Sequence, residues 1–195
     1  VMLSKNVGEG VARYIENGGT VVAEARLAWN DERGFSSDRV PGFGLDKVFG
    51  AKEKLIRPVE KAKIFAAPNA GLPGWAPGDA AVAEAFEEDL EPLSSARVLA
   101  KFSNGEPAIV ENRYGKGRAI LVGSFPALSY QRAHDPSTKR LLLALARSAG
   151  ISPEVRVSGA GTSEVEVRRL TSDRVQIVLV FNHARKPVQA AINIR

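Results

Sequence analysis

The chain has 195 residues, of which 44% are hydrophobic and 25% are charged, a balance typical of a soluble globular protein. It contains no cysteine, which excludes disulfides, thiolate metal sites and cysteine nucleophiles. The net charge of +5 comes from scattered basic residues, and no apolar run reaches the length of a membrane span. We therefore predict neither a nucleic-acid partner nor a membrane segment.

The beginning of the chain predicts a piece of a larger protein. The sequence starts at Val1 rather than at a methionine, directly before a helix cap, and no signal peptide is visible. We expect a fragment or a processed chain, so the cellular location of the parent stays unknown.

The first elements indicate an α/β fold. Ser4 is suited to cap a helix over residues 4–19, which the glycine pair at its end would terminate. The predicted apolar face of this helix consists of Val7, Val11, Tyr14 and Ile15. Residues 20–24 follow at once as a short apolar strand. A helix that leads directly into a fully buried strand is typical of parallel sheets covered on both faces.

The middle of the chain is less regular. One or two helical turns ended by Gly50 are predicted within 44–50, and strand-like pieces lie within 54–67, around a proline. Residues 68–80 form a Gly/Pro-rich loop. Residues 82–93 fit a short helix or a strand, because their apolar spacing is helical but they are few and end near a proline.

The second half carries clearer signals. Residues 96–124 contain three strand-like runs separated by turn residues, which predicts an antiparallel meander. Residues 135–151 predict a helix with Pro136 in its first turn and an apolar face of Leu141, Leu142, Leu145 and Ala149. From Glu154 onward, alternating strands predict an antiparallel β module of about forty residues. We therefore expect two domains, 1–151 and 152–195.

Two loops hold the candidate site residues. The segment 25–46 leaves the carboxyl end of the first predicted strand, where open α/β sheets bind ligands. The candidates for ligand or interface contacts are Glu24, Arg26, Trp29, Asn30, Asp31, Arg33 and Trp75. Trp29 either stacks on a sugar or a partner, or pins its loop to the core; the Gly/Pro neighbours of Trp75 favour pinning. We expect Glu24 to organise the loop by pairing with Arg26 or Arg33.

No catalytic residue, metal site or cofactor is predicted. Ser124 follows a strand but lacks the flanking glycines of a hydrolase nucleophile elbow, so we expect strand-end solvation or helix capping. The two histidines, His134 and His183, have no second histidine at ligand spacing, and His183 is predicted to lie in a surface turn.

Three stretches in the same order resemble a known family. The sequences "YIENGGTVVAE", "PGFGL…FG" and "GKGRAILVGS" are similar to the trimerisation domain of glycoside hydrolase family 42 β-galactosidases. The tail, "VEVRRLTSDRVQIVLVFNHARKPVQAAINI", looks like the start of the small β domain that follows it. The resemblance implies a flavodoxin-like or class I glutamine-amidotransferase-like open sheet without a nucleophile, and it favours a strand at 82–93.

The resemblance also implies a function. In the family, a preceding (β/α)8 barrel carries both catalytic glutamates, and a barrel needs about 250 residues, so it is not in this chain. The chain would be a non-catalytic, trimeric accessory region of an enzyme that hydrolyses terminal β-D-galactosides. One alternative is a stand-alone small-molecule binder or hydrolase that uses Ser124, Glu24 and the strand-end crevice. Another is a sugar-binding module that uses Trp29 and Trp75.

Overall fold

The computed structural model describes residues 2–152, 155–159, 161 and 164–194. Contacts divide the chain into two compact units, Val1–Gly150 and Ile151–Arg195, which we describe separately. The helices of the first unit are α1 (Lys5–Glu16), α2 (Leu45–Phe49), α3 (Pro126–Ala133) and α4 (Pro136–Ser148). Its strands are β1 (Thr20–Ala23), β2 (Ala51–Ala66), β3 (Ala80–Pro92), β4 (Arg97–Phe102), β5 (Pro107–Tyr114) and β6 (Gly117–Val122).

These strands form one mixed sheet in the order β1-β6-β5-β4-β2-β3. In the part of the chain that the structure describes, β1 pairs with β6 in parallel, and the other pairings of this sheet are antiparallel. The α/β class is confirmed, and so are the meander over 96–124, the strand at 82–93 and the helical turns at 44–50.

Both faces of the sheet are covered. One cluster of buried side chains joins β2 to β6 with α4, through Leu141 and Leu145, and includes Trp75. The other cluster packs the opposite face against α1 and α2, through Ile15, Leu45 and Phe49. The sheet thus lies between two helical layers, as expected when helices bury apolar stripes on a central sheet.

The prediction that β1 is fully buried is wrong. Val22 is 37% exposed, because β1 is the outermost strand of the described sheet. The predicted apolar face of α1 is confirmed only in part. Ile15 is buried and Val11 packs against the core, but Val7 and Tyr14 are exposed, and Gly8 is buried in addition. Phe43 packs where Gly8 leaves space, so a glycine rather than the larger apolar residues determines which face meets the core.

The pieces predicted within 54–67 are one continuous strand, β2, that pairs with β3 along nearly its whole length. Pro58 lies inside β2, opposite Phe86, and the register shifts on either side of it, between Glu53 and Leu55 and between Val59 and Lys61. Bulges and prolines interrupt strand patterns in a sequence without ending the strand. The resulting hairpin is long, bent and rich in charged residues.

The sheet curls at β3, so that this strand approaches the chain just after β6. The Glu88 amide donates to the Gly123 carbonyl oxygen at 2.8 Å, and Glu84 forms an antiparallel bridge with Phe125. A Cβ atom at position 123 would collide with the Glu88 carbonyl oxygen, so this approach requires a glycine. The curl brings β3 next to the residues that follow β1.

The helix predicted at 135–151 is α4. Asp135 caps it by accepting a hydrogen bond from the Thr138 amide at 2.8 Å, and Pro136 occupies its first turn. Its buried residues include Thr138 and Ala144 together with the predicted Leu141 and Leu145. The helix α3 was not predicted, because its eight residues begin at Pro126 and bury only Pro126 and Ser129, which leaves no helical apolar pattern.

The second unit contains two small antiparallel sheets. β7 (Val155–Ser158) pairs with β10 (Ala191–Ile194), and β8 (Val165–Thr171) pairs with β9 (Gln176–Asn182). The antiparallel character of the module agrees with the sequence, although β7 was not predicted. On β9, Ile177, Leu179 and Phe181 are all at least 40% exposed. A pair of two-stranded sheets of this size buries little apolar surface.

The tight contact of α1 with β6 gives a test of the first unit. A Cβ atom at Gly117 would collide with the backbone carbonyl oxygens of Ile15 and Gly19, whereas Gly10 in α1 has open space. We expect Gly117→Ala to lower the free energy of unfolding by about 2 kcal/mol or more. Gly10→Ala is the control and should stabilise by about 0.5–1 kcal/mol, because alanine is the better helix former. Urea unfolding followed by circular dichroism measures both; equal effects would contradict this packing.

Candidate functional site

The segment 25–46 begins where β1 ends, and the first three residues after β1 are each held by a distant part of the first unit. The Glu24 carboxylate accepts a hydrogen bond from the Ala127 amide at 2.8 Å, at the start of α3. The Ala25 amide donates to the Ser124 carbonyl oxygen at 3.3 Å, and the Arg26 amide donates to Glu88 Oε2 at 2.9 Å. The base of the segment is therefore rigid.

Glu24 does not act as the sequence predicted. We expected an ion pair with Arg26 or Arg33, but its carboxylate binds a helix N-terminus, where the helix dipole favours a negative charge. The Arg26 guanidinium instead contacts Glu53, with Nε 3.4 Å from Oε2. Burial raises the pKa of the Glu24 carboxyl, and the hydrogen bond from Ala127 opposes this shift.

The tip of the segment is a compact turn. Asp31 Oδ1 accepts hydrogen bonds from the Arg33 amide at 2.9 Å and the Phe35 amide at 2.8 Å. The Asn30 side chain donates to the Gly34 carbonyl oxygen at 2.7 Å. Asn30 and Asp31 therefore shape the turn, as these residue types commonly do, and neither projects freely toward a ligand. Phe35, which is 70% exposed, is the largest apolar group that the turn presents.

The segment closes back on its own base through Ala28. The Ala28 carbonyl oxygen accepts hydrogen bonds from the Gly42 amide at 3.2 Å and from the Ser37 hydroxyl at 3.0 Å. A side chain at Gly42 would collide with both groups. The Val40 carbonyl oxygen accepts a hydrogen bond from the Glu53 amide at 2.7 Å, which joins the segment to β2. These bonds give a long irregular segment a single defined conformation.

Arg26 and Trp29 form a stacked pair at the surface. The guanidinium carbon lies 3.5 Å from the centroid of the indole ring, a close cation–π contact. The Arg26 side chain is only 14% exposed, whereas Trp29 is 38% exposed. One face of Trp29 stacks on Arg26 and the rest of the ring is accessible, so a contact of this ring with a sugar or a partner stays a prediction.

A polar cavity of about 390 Å³ opens beside this pair. Its lining includes Arg26, Trp29, Asp38, Arg39, Lys52 and Glu53. Each of the two outer cations contacts a carboxylate: Arg39 lies 3.6 Å from Asp46, and Lys52 lies 3.1 Å from Glu91. The mixed charges make this a polar surface of the kind found around protein interfaces.

Two carboxylates that the sequence analysis did not select lie beneath the segment. Glu88 of β3 is fully buried, and Glu53 of β2 faces the same side of the hairpin, since Glu53 pairs across the strands with Leu90, two residues from Glu88. Burial, together with the nearby charge of Glu53, raises the pKa of Glu88 to about 7, although the hydrogen bond from the Arg26 amide opposes this shift. Cross-strand register is the signal that could have found this pair.

The other candidates are not part of this site. Trp75 is 1% exposed and lies in the core cluster with α4, which agrees with the pinning interpretation. Ser124 is fully buried, and its hydroxyl donates to the Phe86 carbonyl oxygen at 2.6 Å, so it solvates a strand end as expected. His134 ends α3, and His183 is an exposed turn residue whose Nε2 lies 2.9 Å from Glu166.

Neither a metal-binding cluster nor a membrane-spanning helix is found among the described residues. Among them, no group of three or more His, Cys, Asp or Glu side chains is placed to hold a metal ion. None of the helices in the described part of the chain is both long and apolar enough to span a bilayer.

Known proteins resemble this chain over most of its length. It is 27% identical, over 93% of its residues, to the β-galactosidase BgaB of Geobacillus sp. (strain Y412MC61) and to that of Geobacillus kaustophilus, and it spans only 25% of each. The β-galactosidase of Bacillus circulans sp. alkalophilus matches in structure with a TM-score of 0.75 at 20% identity, over 93% of this chain and 26% of that one.

A second structure, the β-galactosidase from Rahnella sp. R3, also gives a TM-score of 0.75, at 21% identity, over 93% of this chain and 26% of that one. At such identities the structural likeness concerns the fold alone. The family evidence comes from the sequence, because residues 1–152 match the family described as the β-galactosidase trimerisation domain. This chain belongs to the β-galactosidase trimerisation domain family.

Proposed function

We propose that this chain is the non-catalytic oligomerisation region of a β-galactosidase-like glycoside hydrolase. Residues 1–151 would be its trimerisation domain, and residues 152–195 would begin the small β domain that follows. The family match over residues 1–152 carries this proposal. The division of contacts after Gly150 supports the proposed boundary.

The parent protein, in this proposal, hydrolyses terminal β-D-galactosides through a barrel domain that precedes this region. The chain spans about a quarter of the length of the β-galactosidases that it matches, which leaves ample room for such a domain. The two side chains considered as reactive groups, Ser124 and Glu24, are both engaged in structural hydrogen bonds, which supports an accessory role. Ser124 is buried against backbone carbonyls, and Glu24 binds the amide at the start of a helix.

The segment 25–46 is our candidate for the surface that meets a neighbouring subunit. Its backbone is fixed by internal hydrogen bonds, so binding would cost little ordering entropy. It presents Trp29 and Phe35 among charged groups, and buried aromatic anchors with a polar rim are common at interfaces. The partner would be a second copy of this chain within a trimer.

We also propose that the first unit is a variant of the flavodoxin-like or class I glutamine-amidotransferase-like fold. The passage from α1 into β1, and the parallel pairing of β1 with β6, support this relationship. The antiparallel β2–β3 hairpin would then be an addition that widens the sheet. A role without the reactive cysteine of an amidotransferase is consistent with the composition of the chain.

Molar mass tests the oligomerisation role. We expect light scattering to give three times the 20.9 kDa mass of one chain at micromolar concentration. In the same preparation, hydrolysis of a nitrophenyl β-galactoside should be undetectable, because the Ser124 hydroxyl, the candidate nucleophile, is buried and donates to a backbone carbonyl. A monomer at all accessible concentrations would contradict the trimer. Turnover that a substitution in this chain removes would contradict the non-catalytic role.

The interface role of Trp29 can be separated from its packing role. We expect Trp29→Ala to weaken assembly while lowering Tm by no more than about 4 °C, because much of the ring is exposed. Phe65→Ala is the matched control: Phe65 is 39% exposed, against 38% for Trp29, but lies at the far end of β2. Assembly that survives Trp29→Ala with a large loss of Tm would show that Trp29 only pins the segment.

A further inference from the structure

Two carboxylates, Glu53 and Glu88, lie beneath the base of the segment 25–46, and one shared proton would join them by a hydrogen bond. Glu88 Oε2 accepts the Arg26 amide hydrogen, but Glu88 Oε1 is buried and accepts no hydrogen bond from the described residues. Glu53 Oε2 is likewise buried; it lies 3.4 Å from Arg26 Nε in an ion pair but accepts no hydrogen bond from the described residues. A proton on Glu88 Oε1, donated to Glu53, would give both oxygens a partner, as a buried polar group requires.

We propose that Glu53 and Glu88 share one proton at neutral pH, and that losing it loosens the Arg26–Trp29 base of the segment 25–46. With both carboxylates ionised, the fully buried Glu88 carboxylate lies near the negative charge of Glu53, whose Oε2 is 3.4 Å from Arg26 Nε. Such an arrangement is unfavourable in a poorly solvated site, and movement of Glu53 or of Arg26 would relieve it. Arg26 can move the segment because its guanidinium stacks on Trp29 and its amide is held by Glu88.

The backbone at the base of the segment 25–46 is conformationally strained. Arg26 and Ala28 have φ angles of 58° and 49°, in the left-handed region that non-glycine residues rarely adopt. Contacts around them must offset this conformational cost, and the hydrogen bond from the Arg26 amide to Glu88 is one of them. A change in the charge of Glu88 therefore acts on a strained part of the chain rather than on a relaxed one.

Two charged groups act on Glu88: Glu53 from β2 and Arg26 from the segment itself. Arg132 of α3 pairs with Glu84 of β3 at 2.7 Å. Glu24, at the end of β1, is bound to the Ala127 amide. Arg132 and Glu24 thus have their own partners, which leaves Glu53 and Arg26 as the groups that decide the charge of Glu88.

The titration range follows from burial. Desolvation raises the pKa of Glu88 to about 7 from an ordinary value of 4.5, so the folded chain holds a proton that the unfolded chain releases. The stabilisation from this proton is complete below about pH 4.5 and is lost as the pH rises to about 7. The segment should therefore be ordered most firmly in mild acid and loosen above neutrality.

Trp29 fluorescence tests the proton-sharing pair in the isolated chain. The chain has two tryptophans, so the difference between the spectra of the parent chain and Trp29→Phe isolates Trp29. We expect its emission to move to longer wavelength from pH 5 to pH 9 with a midpoint near 7, and Glu88→Gln to abolish this transition. Glu24→Gln and His134→Asn are controls that should keep it; the second tests the side-chain type that usually titrates near neutrality.

Three results would overturn the proposal: no Trp29 transition between pH 5 and 9, a transition that persists in Glu88→Gln, or one that disappears in His134→Asn. If Glu88→Gln does not fold, carboxyl ¹³C resonances of the unmodified chain decide the question. A Glu88 midpoint near 7 supports the shared proton, and a midpoint below 5 excludes it.

The consequence for assembly rests on the proposed function. If the segment meets a neighbouring subunit, the Kd for self-association should rise above pH 7 by up to about tenfold per pH unit, the limit for one linked proton. Glu88→Gln should flatten this dependence. A pH transition of Trp29 fluorescence without a change in self-association would support proton sharing between Glu53 and Glu88. It would exclude a link between that proton and assembly. A chain that never associates would contradict the trimer and leave the fluorescence result as a separate test.

Discussion

The curl of the sheet at Gly123 is the constraint on which the rest of the first unit depends. β3 is the last strand of the sheet, yet its Glu88 amide reaches the carbonyl oxygen of Gly123, just beyond β6. This contact brings residues from two distant parts of the chain to the base of the segment that follows β1. Without it, Arg26 would lack the Glu88 carboxylate, and the segment would start from a free strand end.

The long hairpin makes the curl possible. β2 and β3 pair over most of their length but carry two register shifts, and Ala85, in β3, has a φ angle of 73°. Bulges increase local bending and twist, so a strand that would otherwise continue outward can return toward the sheet. The same bending places Glu53 and Glu88 on the inner side of the hairpin, where Glu88 is fully buried. One local irregularity thus determines both the shape of the sheet and the chemistry beneath its main surface segment.

A scaffold explains why so many polar groups are fixed rather than reactive. The Ser124 hydroxyl, the Glu24 carboxylate and the Asp31 carboxylate each hold a piece of backbone. Hydrogen bonds of this kind give the surface a defined shape. They also leave these groups poorly placed to attack a substrate, because each one already binds a backbone atom. A defined surface suits a member of the β-galactosidase trimerisation domain family.

The sequence by itself determined the local elements. Capping residues, turn dipeptides and periodicity identified α4, the meander and the β module, because these signals depend on neighbours a few residues away. What only the tertiary structure decided was which faces and side chains meet. Val7 and Tyr14 fit a helical stripe but face outward, and Glu53 and Glu88, 35 positions apart in the sequence, meet because strand register and the curl bring them together. Such contacts arise from long-range pairing, whose register a single sequence does not encode locally.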